Sequence, residues 1–305
     1  MTATKSRAVV FGGAGFLGSF VADALSAAGH DVVVFDRRPS PYLREGQRGV
    51  VGDILDAKIV ADAIAGADIV YHYAAVGDIA AANTDPVETI RVNVLGTTML
   101  LDAARRAGVK RFVFASTLYV YSEKGGFYRS GKQACELVIH DFQSAYELPF
   151  TILRYGSLYG PRATESNWIH SILKQALTEG RIVRAGDGEE IREYIHVWDA
   201  AQSSVDILAP EYENASIIIT GQQPMRVRDL LTMIREMLDN KIAIEYRPPD
   251  EASHDRAWHY QMTPYSYRPQ IARRLTKTSY LDLGQGLLDL IDQMAQSVGG
   301  PSGAG

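Results

Sequence analysis

The sequence predicts a doubly wound parallel α/β sheet followed by a smaller mixed α/β region, and three observations carry that reading. From residue 7 to about residue 155, short apolar runs alternate with longer amphipathic ones, the pattern of strands covered by helices on both faces. A glycine-rich turn directly follows the first apolar run. After Gly160-Pro161 the regular rhythm stops.

In chain order, Arg7 to Phe11 reads as the first strand and Gly15 to Ala28 as the helix that covers it, closed by Gly29. Asp31 to Phe35, with its Val-Val-Val-Phe run, is the second strand, and Gly49 to Val51 the third. The helix Ala57 to Ala65, ended by Gly66, leads to a fourth strand at Asp68 to His72. A long helix from Pro86 to Ala107 stops at Gly108 and precedes the strand Arg111 to Ala115. Tyr128 to Tyr146 is the next helix and Phe150 to Leu153 the sixth strand.

Beyond this point helices are expected at Asn167 to Glu179, Trp198 to Leu208, Val227 to Leu238 and Leu281 to Met294. Strands are expected near Arg181 to Arg184, Ile191 to Ile195, Ile217 to Thr220 and Ile242 to Tyr246. Residues 1–160 are thus expected to form one domain, with segments near 191–220 returning to it, and residues 161–305 mainly a substrate region. The small residues from Gly299 to Gly305 read as a frayed end.

With 305 residues, 46% of them hydrophobic, the chain can bury a substantial core. Its net charge of −5 is spread among interspersed acids and bases, so nothing recommends nucleic acid or an acidic membrane as a partner. Small molecules are the expected ligands. One cysteine, Cys135, excludes an intrachain disulfide, leaves no zinc-ligand spacing and fits a reducing cytoplasm. The opening residues read as neither a signal peptide nor an anchor, because glycines break the apolar stretch at once.

The stretch Val9-Val10-Phe11-Gly12-Gly13-Ala14-Gly15-Phe16-Leu17-Gly18 runs from strand through glycines into helix, the setting that a dinucleotide fingerprint requires. Without side chains, Gly12, Gly15 and Gly18 allow a tight turn and let a pyrophosphate reach the helix N-terminus, where free N–H groups and the dipole favour negative charge. Asp36, 18 residues past Gly18, stands where a carboxylate accepts both hydroxyls of an adenosine ribose. That carboxylate argues for NAD over NADP, since it repels a 2′-phosphate, an effect which the neighbouring Arg37 and Arg38 partly offset. The domain is therefore expected to be of Rossmann type. Asp53 and Ile54 after the third strand, and Tyr73, Ala74 and Ala75 after the fourth, lie at strand ends where ligands of such sheets collect.

Tyr128 and Lys132 form the only Tyr-x-x-x-Lys pair in the chain, and a spacing of four puts both on one helix face. A phenol is a poor base at neutral pH, but an adjacent ammonium favours its phenolate. Lys132 is then the tuner and Tyr128 the proton carrier. The hydroxyl of Thr117, at the end of the fifth strand, is suited to hold the reacting oxygen of a substrate.

With the glycine motif, Asp36, Asp53, Thr117 and Tyr128-x-x-x-Lys132 in this order, the chain resembles the extended short-chain dehydrogenase/reductases, and among them the NAD-dependent epimerase/dehydratase family. Leu153-Arg154-Tyr155-Gly156-Ser157-Leu158-Tyr159-Gly160-Pro161-Arg162 and Arg192-Glu193-Tyr194-Ile195-His196-Val197-Trp198-Asp199 extend the resemblance to about Leu208. It implies NAD as cofactor, contacted also by Phe16, Leu17, Asn93 and Tyr155, the last near the nicotinamide. It further implies a sugar-nucleotide substrate near Ser157 and Asn167, with Arg192 on the diphosphate, and a homodimer joined through the helices Pro86 to Ala107 and Tyr128 to Tyr146. His196 and Asp199 are read as structural, and no metal is implied.

Four departures bear on the reaction. Family dehydratases carry Thr-Asp-Glu after the fifth strand, where this chain has Thr117, Leu118 and Tyr119, so the extra acid and base for water elimination are missing. Decarboxylases commonly place a glutamate where Tyr119 stands. Ser157 replaces an asparagine of many relatives, and Tyr128 follows Thr117 by only eleven positions, about half the usual gap. The leading expectation is a sugar-nucleotide epimerase acting at C4. The alternatives are a net dehydrogenase or keto-reductase with exchangeable cofactor, and a noncatalytic NAD-binding protein. The stretch His259 to Tyr267 is rich in groups suited to a sugar but receives no assignment.

Overall fold

The computed structural model describes residues 6–248, 259, 261–262, 273–277 and 279–299. Its main body follows from strand alternation. Along β1 (Arg7–Phe11) Ala8 and Val10 face one side of the sheet, and Val9 and Phe11 the other, so two apolar cores form back to back. α1 (Phe16–Ala27) covers the Ala8 side. β2 (Asp31–Asp36) and β3 (Arg48–Val51) extend the sheet outward, joined by a loop with no helix. α2 (Ala57–Ile64) leads to β4 (Ile69–His72).

Between β4 and β5 (Arg111–Thr117) lie α3 (Ile79–Thr84), α4 (Pro86–Ile90) and α5 (Gly96–Arg106). The single helix expected from Pro86 to Ala107 is therefore interrupted: Arg91–Leu95 form a π-helical turn. Asn93 supplies the reason, since its amide leaves the helix surface to hold both backbone groups of Val76, accepting at 2.7 Å and donating at 3.1 Å. α6 (Gly126–Tyr146) and β6 (Phe150–Tyr155) follow, then the short β7 (Ser157–Tyr159), which sequence pattern did not indicate.

The later chain adds α7 (Trp168–Glu179), β8 (Arg181–Ala185), β9 (Ile191–His196), α8 (Val197–Asp206), β10 (Ala215–Ile219), β11 (Pro224–Arg226), α9 (Val227–Met237), β12 (Ala243–Arg247), β13 (Arg273–Arg274) and α10 (Leu283–Gly299). Eight strands form one parallel sheet in the order β13-β10-β6-β5-β4-β1-β2-β3. α1 and α8 pack on one face, and α2, α5 and α6 on the other. This is the doubly wound Rossmann-type sheet. α7, α9 and α10 enclose a third core with Tyr159, Ile182 and Tyr194, beside the small sheets β11-β9-β7 and β12-β8. No described helix is long and apolar enough to cross a membrane.

Candidate active site

The carboxyl ends of β1, β2 and β4 meet at the turn before α1. Gly12 has φ +79°, and a Cβ on it would stand 2.5 Å from the Ala74 nitrogen at the end of β4. A Cβ on Gly18 would stand 2.2 Å from the Gly12 carbonyl oxygen, so first turn and helix close on each other only as glycines. Gly15 differs. Its backbone is ordinary, and what a Cβ there would meet is the Gly12 oxygen at 3.1 Å.

Gly15 also caps α1 without a side chain, and the first turn of the helix holds no acidic residue. The amides at that end are thus offered to an anion. Phe16 and Leu17, both half-buried, pack against the apolar core beside that helix end. Asp36 ends β2, where its carboxylate accepts from the amides of Ala14 at 3.1 Å and Arg38 at 3.3 Å, which ties it to the glycine turn. Arg37 beside it is exposed. Glycine cradle, uncapped helix and carboxylate together fit an adenine dinucleotide.

The neighbouring strand ends are less uniform. Asp53 accepts from the Leu55 amide at 2.9 Å, and Ile54 is buried, its Cδ1 2.6 Å from where a Gly96 Cβ would stand. Ala74 and Ala75 border the cradle. Tyr73 and Tyr155 depart from expectation. Their hydroxyls bond each other at 3.0 Å, Tyr155 also reaches Ser204 Oγ at 2.6 Å, and both rings pack into the core on the α8 side. The Tyr73 carbonyl carbon lies 2.7 Å from where a Gly12 Cβ would stand, so its backbone borders the glycine turn. Asn93 likewise spends its amide on Val76 and acts on the site by fixing the turn after β4.

Tyr128 and Lys132 lie on α6 beside β5, which ends at Thr117. Lys132 is buried and donates to the Ala115 carbonyl at 2.7 Å, with Nζ 4.7 Å from the Phe114 ring centre and 6.0 Å from that of Tyr128. Burial pulls its pKa down to about 8. Beneath it, His72 is held near a pKa of about 3 by burial and then by the Lys132 charge, so it is neutral at pH 7. Thr117 takes the Tyr119 amide on its hydroxyl at 3.3 Å, starting a 3-10 turn, Leu118–Tyr121. Tyr128 meets the Tyr119 ring edge-on, centres 6.2 Å apart.

Beside these groups opens a cavity of about 270 Å³ whose lining includes Tyr119, Ser157, Arg184, Arg192, Tyr194 and His259. Asn167 borders it, but its amide is committed to the fold: Oδ1 caps α7 through the His170 amide at 3.1 Å, and Nδ2 donates to the Leu158 carbonyl at 2.8 Å. Arg192 lines the cavity and donates to the Ile191 carbonyl at 3.0 Å. His196 accepts from the Trp198 amide at 3.3 Å and Asp199 from that of Leu281 at 3.0 Å, both structural contacts.

Sequence reasoning missed Arg184, which pairs with Glu190 and stands 5.4 Å over the Trp168 ring at the cavity wall. An arginine alternating inside a strand pattern gave no local signal. His259 was noted without a role, and its partner Tyr119 only as a departure. Of the stretch His259 to Tyr267, Tyr260 and Thr263 to Tyr267 lie outside the described residues. Among the described residues, no three His, Cys, Asp or Glu side chains are grouped to hold a metal ion.

Residues 8–217 match the model of the NAD dependent epimerase/dehydratase family. A dTDP-glucose 4,6-dehydratase of Mycolicibacterium smegmatis is 30% identical, covering 94% of this chain and 92% of its own length. The UDP-glucose 4-epimerase of the same organism is 28% identical, covering 80% and 86%. Among solved structures, a UDP-N-acetylglucosamine 4-epimerase from Methanobrevibacter ruminantium superposes with a TM-score of 0.83 at 22% identity, over 96% of this chain and 99% of that one. That likeness is one of fold.

Proposed function

The chain belongs to the NAD-dependent epimerase/dehydratase family, and from that footing we propose that it is a sugar-nucleotide epimerase that uses NAD to invert C4 of a hexose. The observation that carries this reading is the placement of Tyr128 beside the buried ammonium of Lys132, which is fixed on β5, the strand next to β4 whose end borders the glycine cradle. Bound NAD supplies a two-electron acceptor that returns the electrons, so the reaction has no net redox change.

Tyr128 takes the proton of the C4 hydroxyl and returns it to the same oxygen once the keto-sugar has turned its other face inward, so that C4 is inverted while the proton goes back to oxygen. Lys132 stabilises the phenolate that accepts this proton, and the Ala115 carbonyl fixes its ammonium for that task. Thr117 holds the reacting oxygen. Arg192 at the cavity wall suits the substrate diphosphate, because its fork of donors matches phosphate oxygens.

Two positions favour epimerisation over the other chemistries of relatives. Leu118 is buried in an apolar cluster with Val120, Tyr121 and Ile218, and the Tyr119 hydroxyl is bonded to His259. Neither supplies a carboxylate to protonate a leaving hydroxyl. The protein is further read as a homodimer through α4 to α6, whose exposed apolar residues include Val87, Leu95 and Leu137.

The test is incubation with UDP-glucose, UDP-N-acetylglucosamine, UDP-glucuronic acid and dTDP-glucose, followed by proton NMR of the sugar. Interconversion of C4 epimers with the cofactor retained through gel filtration is the expected result. A 4-keto-6-deoxy product, or turnover that consumes free nicotinamide cofactor mole for mole, would overturn it.

A further inference from the structure

The short segment from Thr117 to Tyr128 is built around one ring. Leu118, Val120 and Tyr121 turn inward and are buried, while Tyr119 faces the cavity. A Cβ on Gly125, which has φ +100°, would stand 2.9 Å from a carbon of the Tyr119 ring, so the turn closes on that ring only with glycine there. The Tyr128 ring meets Tyr119 edge-on at 6.2 Å and the His259 ring does so at 5.9 Å. Imidazole Nδ1 and the Tyr119 hydroxyl share a hydrogen bond.

His259 comes from the opposite side of the cleft. Two residues on, the Gln261 carbonyl accepts from the Ile191 amide at 2.7 Å, which anchors this stretch to β9 beside Arg192. The Tyr119–His259 bond therefore joins the turn that carries the catalytic strand end to the stretch that borders the substrate region. Both residues line the cavity together with Ser157 and Arg192.

We propose that Tyr119 and His259 form the wall that selects the glycosyl group of the substrate. The inference rests on the sugar-nucleotide reading above. In that reading the sugar reacts at Tyr128, whose ring meets Tyr119 at the edge of the cavity, and Arg192 on the cavity wall takes the diphosphate. The ring that lies next to Tyr128 meets Tyr119 and His259. Two aromatic rings present an apolar surface to the C–H face of a pyranose, and their mutual hydrogen bond fixes how deep that ring sits. The bond acts on the sugar and not on the nucleotide, so its loss separates the two in affinity.

The experiment measures binding of UDP, UDP-glucose, UDP-N-acetylglucosamine, UDP-glucuronic acid and dTDP-glucose to the cofactor-loaded protein by calorimetry, with Tyr119→Phe, His259→Asn and the double variant beside the wild type. Melting temperatures establish that each variant is folded, and Tyr119→Phe keeps the ring that packs on Tyr128. For the tightest sugar nucleotide, each single variant is expected to lose about tenfold in affinity while UDP stays within about twofold, on the scale of one hydrogen-bonded contact. The double variant should lose no more than the worse single one, because both changes remove the same bond. Equal losses for UDP and sugar nucleotide, or no loss at all, would overturn the wall and leave the functional reading standing. A wild-type protein that binds none of the five would overturn that reading, and the wall with it.

Discussion

Arg154 Nη2 lies 2.6 Å from Glu136 Oε2, and neither side chain is accessible to solvent. Arg154 Nε reaches the other carboxylate oxygen at 3.0 Å, Ser116 donates to that same oxygen at 2.5 Å, and the guanidinium also donates to the Tyr121 hydroxyl. Glu136 is one turn after Lys132 on α6, so the cluster clamps the catalytic helix onto β5 and β6.

Removing one member of this pair leaves a buried charge without its counterpart. Arg154→Met is expected to destabilise the protein by roughly 3–5 kcal/mol, whereas Arg154→Met with Glu136→Leu should cost clearly less. Urea unfolding of the single and double variants checks this. A double variant no more stable than the single one would show that the pair is not what holds α6 in place.

A second prediction concerns acid. His72 Nε2 lies 2.9 Å from Thr97 Oγ1, whose own hydrogen goes to the Asn93 carbonyl at 2.5 Å, so the imidazole is the donor through Nε2. Its Nδ1 is buried with no hydrogen-bond partner among the described residues. With a folded pKa of about 3 against 6.5 unfolded, the unfolded chain binds the extra proton between these values. Stability due to this group is complete above pH 6.5 and falls as pH drops toward 3, by up to about 1.4 kcal/mol per pH unit. His72→Gln should flatten that slope in denaturant titrations from pH 4.5 to 7; an unchanged slope would assign acid sensitivity to other groups.

The glycines should separate into two kinds. Gly18→Ala places a Cβ 2.2 Å from the Gly12 oxygen and is expected to lower the melting temperature sharply, with or without cofactor. Gly15→Ala meets that oxygen at 3.1 Å and keeps an ordinary backbone, so the protein should fold while losing much of its affinity for NAD. Thermal melts with and without NAD distinguish the two, since a bound ligand raises the melting point. A Gly15→Ala protein stabilised by NAD as much as the wild type would contradict the assignment of that amide cluster to the pyrophosphate.

The doubly wound fold was legible because its code is local. β1 was delimited to the residue by its apolar run, and Gly29, Gly66 and Gly108 stand at positive φ after the helices they were expected to end. The π turn at Asn93 was not legible, for its cause is a contact with Val76, 17 residues away across the turn after β4. Tyr155 shows the same limit. Its place at a strand end was readable, but the direction of its ring depends on Ser204, 49 residues on. His259 and Tyr119, 140 residues apart, meet only because β9 holds the later stretch in place.

The last prediction follows from Lys132. Its ammonium is present below about pH 8 and is lost above it, so its support for a Tyr128 phenolate declines as pH rises through that value. The wild-type turnover number is expected to fall on the alkaline side. Lys132→Met should lose about two orders of magnitude or more, and its residual rate should rise with pH, because Tyr128 must then ionise unaided. Stability supplies a readout independent of activity. The folded pKa is below the ordinary lysine value of 10.5, so between about 8 and 10.5 the unfolded chain holds more protons and stability rises with pH. Lys132→Met removes that contribution. Parallel pH profiles of turnover and of stability in the two proteins would therefore place the same lysine in both; a wild type without the alkaline fall would detach the buried charge from the reaction.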